Sequence, residues 1–501
     1  MTDARRRRVV VVGDALLDVD VVGAVGRTAP DAPAMVVEQH DRLPRPGGAA
    51  LAAWLAGGHP VDVTLACPLA DDEPARELAR LVSHRVELVA LPDEGATSVK
   101  TRVRADDHTL LRIDVPGASA PAESRAPLAS ALARADVVLV ADYGRGFTSL
   151  DWVREELTRT AGRVPVVWDP HPRGAAPVPG TRVVTPNESE LAAVLDLAPP
   201  GSRRERMAWA GRAAARLVSS WQVGAVAVTL GTAGALLSYG DATPMLLPLG
   251  RPPARATDPC GAGDCFAAAL AVSLTRGNVI TEAVEHAVAE ASHFVAAGGA
   301  AAVAASLQLG DQPTATQPAA EPAAESAAEP AEPVTAEAPD DLDVLLQRVR
   351  ARGGTVVATG GCFDLVHVGH VETLRAARAL GDCLVVLVNS DDSVRRLKGP
   401  SRPLVPVRDR ARVLAALDCV DAVVVFDEDT PEQALAQVRP DIWAKGGDYA
   451  AEDLPERRVL EQWGGQAVLL PYVAGRSTSR MVQTVIRRGV ADRSDAGTSA
   501  R

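Results

Sequence analysis

Two short stretches of this chain carry residues whose types and spacing suit phosphate chemistry. The first is Asp258-Pro-Cys-Gly-Ala-Gly-Asp-Cys265, followed by the apolar run Phe266 to Leu274. Gly261, Ala262 and Gly263 at a helix start bring backbone N–H groups together where they lack partners and the helix dipole is positive, an arrangement that binds anions. Asp264 would repel a phosphate there unless it acts. As a general base it would take the proton of an attacking hydroxyl while the glycines hold the transferring phosphoryl group. A Gly-rich turn with an ordinary N-cap is the plainer alternative. The second stretch, Thr355 to His370, runs strand, glycine turn, helix. At a helix N-terminus, the imidazoles of His367 and His370 suit hydrogen bonding to nucleotide phosphates, stabilising charge as pyrophosphate leaves. A metal pair is an alternative, but zinc takes three or four ligands and no histidine follows His370. Buried structural histidines are the other.

Further motifs fit the same chemistry. Thr185-Pro-Asn-Glu-Ser-Glu190 closes a strand with an N-x-x-E pair, Asn187 and Glu190, suited to holding the hydration shell of Mg²⁺ beside ATP phosphates. Thr229 and Gly231 lie in a strand and Gly-rich turn suited to a nucleotide, and Gly47 and Gly48 precede another helix beside a crevice. In the second half Gly360, Cys362, Phe363 and Asp364 form the turn before the histidines. Lys398 ends a basic loop suited to triphosphate, Arg410 sits in a helix start, and Lys445-Gly446 follow a strand. Ser477 and Thr478 place hydroxyls at a last helix start. Of 52 basic residues only Lys100, Lys398 and Lys445 are lysines, and Lys is the compact point charge suited to phosphate.

These residues need a scaffold that presents loops at strand ends. Val9 to Val12 reads as a buried strand ending in Gly13-Asp14, and strand-like runs recur at 136–142, 164–169, 182–185 and 225–229, separated by helical stretches such as 74–82 and 203–218. Alternating β and α units predict an α/β fold with a doubly wound, mostly parallel sheet, whose ligand crevice lies past the strand carboxyl ends. Residues 19–38 and 97–114 predict a small β sheet acting as a lid. Residues 311–340, rich in Ala, Glu and Pro, hold no Lys, Arg, aromatic, Ile or Leu. Such a tract cannot bury enough apolar surface to offset its ordering entropy. It predicts a disordered linker between a domain over 1–310 and a second α/β domain over 341–490, with a disordered tail at 491–501; an exposed helix or loop insertion is the alternative.

Composition narrows the class. The chain has 501 residues, 47% hydrophobic and 23% charged, with net charge −12, which implies no attraction to nucleic acid or anionic membrane. Six scattered cysteines without a CxxC pair point to a reduced, cytoplasmic protein. The apolar run after Arg5 to Arg8 is too short for a signal peptide or membrane span.

In this order the motifs of residues 8–305 resemble the ribokinase-like (PfkB) sugar kinases, most closely the heptose 7-phosphate kinases, through GRTAPDAPAMVV (26–37), TSVKTRVRADDHTLLRID (97–114) and VVLVADYGRGF (137–147). Residues 353–487 resemble the Rossmann-like cytidylyltransferase-type nucleotidyltransferases, in particular the heptose 1-phosphate adenylyltransferase domain. The resemblance implies ATP-dependent phosphorylation of D-glycero-D-manno-heptose 7-phosphate at C1, and adenylyl transfer from ATP to heptose 1-phosphate giving ADP-heptose and pyrophosphate. It also implies Mg²⁺, a homodimer, Asp14 on sugar hydroxyls, Asp264 as base on the anomeric hydroxyl, and Lys100 and Arg102 on the substrate phosphate. The first product would carry two phosphates, so a separate phosphatase must act between the steps. Three positions depart from the family pattern: Leu51 for Asn, Cys260 for Thr and His171 for Lys. They leave open the same reactions on another sugar phosphate, or a kinase-fold half that only binds ligand and regulates an active transferase.

Overall fold

The computed structural model of the chain describes residues 6–29, 35–105, 108–117, 123–201, 203–240, 243–249, 259–309, 339–446 and 454–470. Asp258, Ser477, Thr478, residues 311–338 and the tail 491–501 lie outside the described residues. The chain divides into two compact units.

In the first unit the main sheet is centred on the strand Arg8–Gly13, whose Val9 to Val12 are fully buried. A β-branched run without polar alternation suits a strand covered on both faces. On one side lie Val137–Ala141, Val166–Asp169, Val183–Val184 and Val226–Thr229, and on the other Asp62–Ala70 and Glu87–Asp93. All of these pair in parallel, and Ala235–Ser238 closes the row antiparallel to Val226–Thr229. Strand order therefore reverses direction beside Arg8–Gly13. In open α/β sheets a ligand crevice forms past the carboxyl ends at such a point. Gly13 is required there because a Cβ would lie 1.9 Å from the Ala141 carbonyl oxygen. The strands Asp62–Ala70 and Glu87–Asp93 extend the expected set.

A second, four-stranded sheet has the order Met35–Gly48, Ala15–Thr28, Val99–Ala105, His108–Val115. This is the expected lid, with its first strands longer than the sequence pattern indicates. Its register sets Lys100 opposite Asp18, Arg102 opposite Asp20, and Arg45 opposite Asp18. Because strand side chains alternate in direction, Asp18 and Asp20 share one face. The helix Ala262–Thr275 is buried along nearly its whole length, as its apolar sequence demands.

In the second unit a parallel sheet has the order Ala422–Phe426, Cys383–Asn389, Val356–Gly361, Ile442–Gly446, Gln466–Leu470. Its core gathers Val356, Val385, Leu387, Trp443 and Leu469. A lead-in helix spans Pro339–Ala351 and docks into that core through Leu342 and Leu346. The helix Val368–Arg378 follows the turn after Val356–Gly361.

Candidate active sites

In the first unit Gly261 caps the helix Ala262–Thr275 in a left-handed conformation, φ +84°, which glycine adopts without strain. A Cβ there would also press on Leu51 at 3.0 Å and on the Phe294 ring. The turn leaves the Gly263 and Asp264 N–H groups without an acceptor among the described residues, the condition for an anion hole. Asp264 follows immediately, 8% exposed. Burial pushes its pKa to about 8; a hydrogen bond from the Tyr143 hydroxyl opposes that rise, and Asp169 and Asp18 add to it. A carboxylate near neutrality is matched to general-base work at physiological pH.

Asp14 stands at the strand reversal, 2% exposed. Its Oδ2 accepts the N–H groups of Tyr143 and Arg145, each at 3.1 Å. Its Oδ1 is also buried and has no hydrogen-bond partner among the described residues. Burial foremost, with Asp142 adding, raises its pKa to about 6. A small cavity beside it is lined by Thr97, Ser98, Gly117 and Arg145. Gly47 and Gly48 let the lid strand pass close: a Cβ on Gly47 would meet the Asp18 carboxylate at 3.0 Å, and Ala49 N–H donates to the Asp14 carbonyl at 3.1 Å.

Lys100 lies 5.3 Å from the Tyr143 ring centre, and burial lowers its pKa. Arg102 lies among acidic residues of the lid. Its guanidinium lies 3.7 Å from Asp18 and 3.8 Å from Asp20, and it donates to the Cys260 sulfur at 3.4 Å. Arg45, 2% exposed, reaches Asp20 at 2.9 Å, and Arg104 reaches it at 3.6 Å. Arg102 thus belongs to a charge network at the foot of the lid. The alternation Asp18-Val-Asp20 facing Lys100-Thr-Arg102-Val-Arg104 was the available sign of it.

Asn187 and Glu190 form a reciprocal cap on the helix Glu188–Leu195: Glu190 N–H donates to Asn187 Oδ1 at 2.9 Å, and Asn187 N–H to Glu190 Oε2 at 2.8 Å. Burial raises the Glu190 pKa to about 7, with Asp264 contributing, and that of Asp169 to about 8, with Glu190 contributing. Thr229 and Gly231 sit close by, Thr229 pairing with Asn187. Asp169 escaped the sequence reading because it looks like an ordinary strand end. Crowded carboxylates that resist ionising are a setting a hydrated cation would relieve. Among the described residues no three His, Cys, Asp or Glu side chains are arranged to hold a metal directly. The donor set therefore fits an ion held through water and nucleotide phosphate.

Leu51 stands where the family pattern has Asn. It is 2% exposed and packs with Trp54, Phe294, Ala300, Val303 and Leu307, against the Gly261 turn. Leu51→Asn should lower the unit's stability by about 1–3 kcal/mol, since the amide would be buried without partners, and should not tighten sugar binding. Thermal melting and the KM for sugar phosphate check this; a lower KM would show that position 51 faces the sugar. His171 stacks on Tyr143, ring centres 6.5 Å apart, and accepts from Arg173 N–H at 3.2 Å. Burial and Arg173 lower its pKa, which disfavours the charged form.

In the second unit His367 caps the helix Val368–Arg378, and its N–H donates to His370 Nδ1 at 3.3 Å. The two rings stack with centres 3.9 Å apart, and Phe363 lies 5.4 Å from His370. Burial, then His367 and Lys398, lowers the His370 pKa to about 4. With Nδ1 accepting, neutral His370 carries its proton on Nε2 and is a donor there. Gly360 leaves room for Trp443, whose Cη2 would lie 2.6 Å from a Cβ, and Gly446 for Thr373 at 2.9 Å. Lys398 ends the helix Asp391–Lys398, and Lys445 pairs with Glu456 at 2.8 Å.

Three expected nucleotide contacts also have partners within the fold. Asp364 accepts the N–H groups of Leu404 and Val405 at 2.6 and 3.1 Å and pairs with Arg402. Arg410 is 1% exposed and donates to the carbonyls of Val405, Cys362 and Asn389 and to Asp391. Cys362 Sγ faces Asn389 Oδ1 at 3.8 Å. Asp364 and Arg410 brace the loops around the histidines.

Comparison with known proteins finds matches for both halves of the chain. Residues 6–306 match the pfkB family carbohydrate kinase model, and residues 358–468 the cytidylyltransferase-like model. The chain is similar to the bifunctional protein HldE of Streptomyces coelicolor, 51% identical over 95% of this chain and 96% of that one. It is also similar to bifunctional protein HldE of Azorhizobium caulinodans, 37% identical over 95% and 97%, and of Pseudomonas aeruginosa, 35% identical over 96% and 98%.

Proposed function

The chain belongs to the pfkB family of carbohydrate kinases and to the bifunctional HldE proteins, and from that membership we propose how its two units act on sugar phosphates and ATP. It is a two-activity enzyme, a sugar kinase joined to a nucleotidyltransferase. The kinase unit phosphorylates D-glycero-D-manno-heptose 7-phosphate at C1. The second unit transfers AMP from ATP to heptose 1-phosphate, giving ADP-heptose and pyrophosphate. The observation that carries this reading is the pairing of an open helix N-terminus at Gly261–Gly263 with the adjacent buried Asp264.

In the kinase step Asp14 Oδ1 accepts a sugar hydroxyl and Lys100 meets the substrate phosphate. Asp264 takes the proton of the anomeric hydroxyl as its oxygen attacks the γ-phosphorus, and the bond to the β–γ bridging oxygen breaks to release ADP. The N–H groups at 263–264 stabilise charge on the transferring group, and Thr229 and Gly231 border the nucleotide. Asn187 and Glu190 would hold Mg²⁺ through water, which supplies neutralisation of phosphate charge when bound.

Adenylyl transfer needs no base, because a sugar phosphate is largely dianionic at pH 7, its second pKa being about 6. The requirement is donors and cations: His367 and His370 N–H groups on the phosphates, Lys398 and Lys445 as charges, and Ser477 and Thr478 as further donors. A separate phosphatase removes the C7 phosphate between the steps. A homodimer and a cytoplasmic location complete the reading; six cysteines, none in a disulfide, suit a reducing compartment.

The test is kinase turnover on a panel of sugar phosphates with mass spectrometry of the product. Turnover on a different sugar alone would change the substrate, and none on any would leave a ligand-binding kinase fold. Because an external enzyme acts between the steps, no direct transfer between sites is needed. Cleaving the chain within residues 311–338 should leave both rates within about twofold, read from ADP and pyrophosphate formation; loss of either would show that the tract does more than tether.

A further inference from the structure

Tyr143 was not anticipated as a functional residue, yet it touches three parts of the kinase site. It follows the strand Val137–Ala141 in a turn held by two buried carboxylates. Asp14 accepts the Tyr143 and Arg145 N–H groups, and Asp142 accepts Gly144 N–H at 2.7 Å, Thr148 Oγ1 at 2.6 Å and Ala175 N–H at 3.0 Å. Gly144 turns at φ +67° where a Cβ would meet His171 at 2.4 Å, so the turn admits no other residue there without moving that ring. The Tyr143 ring lies between His171, stacked at 25°, and the lid residue Lys100. Its hydroxyl donates to Asp264 Oδ1. Packing alone would be served by Phe; the hydroxyl needs another reason.

We propose that Tyr143 is the positioning residue of the kinase reaction: its phenol holds one oxygen of Asp264 and leaves the other to receive the proton of the attacking hydroxyl, while its ring ties that carboxylate to Lys100 on the lid. The proposal rests on the kinase reading of the first unit. Asp264 faces Asp18 from the lid, Asp169 from a strand end, Glu190 from the helix Glu188–Leu195, and Cys265 on its own helix, with Lys100 the opposing cation. In that negative setting a carboxylate is held ionised by hydrogen bonds to its charged form. The proton balance is simple. The sugar O–P bond forms, the bond from the γ-phosphorus to the bridging oxygen breaks with its electron pair leaving on ADP, and the sugar proton ends on Asp264 Oδ2. The phenolic proton stays on Tyr143, whose own pKa burial and Asp264 push well above the ordinary value.

The test is Tyr143→Phe in the full chain. Kinase kcat should fall on the order of tenfold to a hundredfold, the strength of a hydrogen bond to a charged group. KM for sugar phosphate and for ATP should stay within about twofold, and the acidic limb of kcat/KM should move up by about one pH unit. Unchanged kcat and limb would overturn the proposal, as would a raised KM at unchanged kcat, which marks a substrate contact. If Y143F does not fold, tyrosine-labelled wild type still decides. A downfield phenolic proton resonance lost in Asp264→Ala supports the contact, and its absence from wild type overturns it. Wild-type turnover is measured first: its absence sinks the kinase reading and the proposal together, whereas turnover with an unaltered Y143F sinks the proposal alone.

Discussion

Asp264→Asn should abolish sugar-dependent ADP formation, by about 10²–10⁴-fold for a lost general base, while pyrophosphate release from ATP and heptose 1-phosphate continues. The amide keeps the size of the carboxylate and an oxygen for the Tyr143 hydroxyl, so the loss would report the missing base and not a collapsed site. The same variant carries a second, opposite signature. The pKa values of Asp264 and Asp169, about 8, and Glu190, about 7, lie above the ordinary carboxylate range. A group whose folded pKa is raised holds a proton that the unfolded chain releases. Its contribution to stability is therefore complete at pH below about 4 and falls as pH rises through 7 to 8. The nucleotide-free wild type should lose kinase-unit stability from pH 6 to pH 9, and Asp264→Asn should lose less. Melting temperatures across that range decide it. A variant that melts lower than wild type at pH 8.5 would contradict the burial cost assigned to Asp264.

His370→Ala should reduce adenylyl transfer by about 10²–10³-fold, the usual cost of removing one preorganised donor to a developing oxyanion, and leave kinase turnover unchanged. The ring is neutral at physiological pH because burial, His367 and Lys398 lower its pKa to about 4. Its Nδ1 accepts the His367 backbone N–H, so in the neutral ring the hydrogen sits on Nε2, the atom proposed to meet the phosphate. The adenylyl rate should accordingly show no limb from His370 between pH 5.5 and 8. A histidine-like limb near pH 6.5 that vanishes in His370→Ala would mean that the charged form works. Full activity in the variant would remove His370 from the site altogether. His367→Ala should be at least as damaging, since it also removes the ring on which His370 stacks.

What the sequence determined by itself is local. An anion-binding helix start needs only a glycine turn and the helix after it, so Gly261–Asp264 and Gly360–His370 were legible as contiguous residues. The buried strand Val9–Val12 was legible for the same reason, and so was the lid, where polar alternation betrays a sheet with an open face. Asp62–Ala70 was less legible because its DVTLACPLA carries a proline and little alternation, and Glu87–Asp93 because it lies at the sheet edge. The tertiary structure decided which protein groups the polar residues meet. Arg102, Asp364 and Arg410 have the chemistry of ligand contacts, and the fold also sets them against Asp18, Arg402 and the Cys362 carbonyl. Conversely Tyr143 meets Asp264 across 121 residues, because strand order sets Val137–Ala141 beside Arg8–Gly13 above the same crevice. The physical reason is separation along the chain. Helix starts and turns are built from neighbours in sequence, whereas the partner that occupies or frees a buried side chain is chosen by which strands the sheet brings side by side.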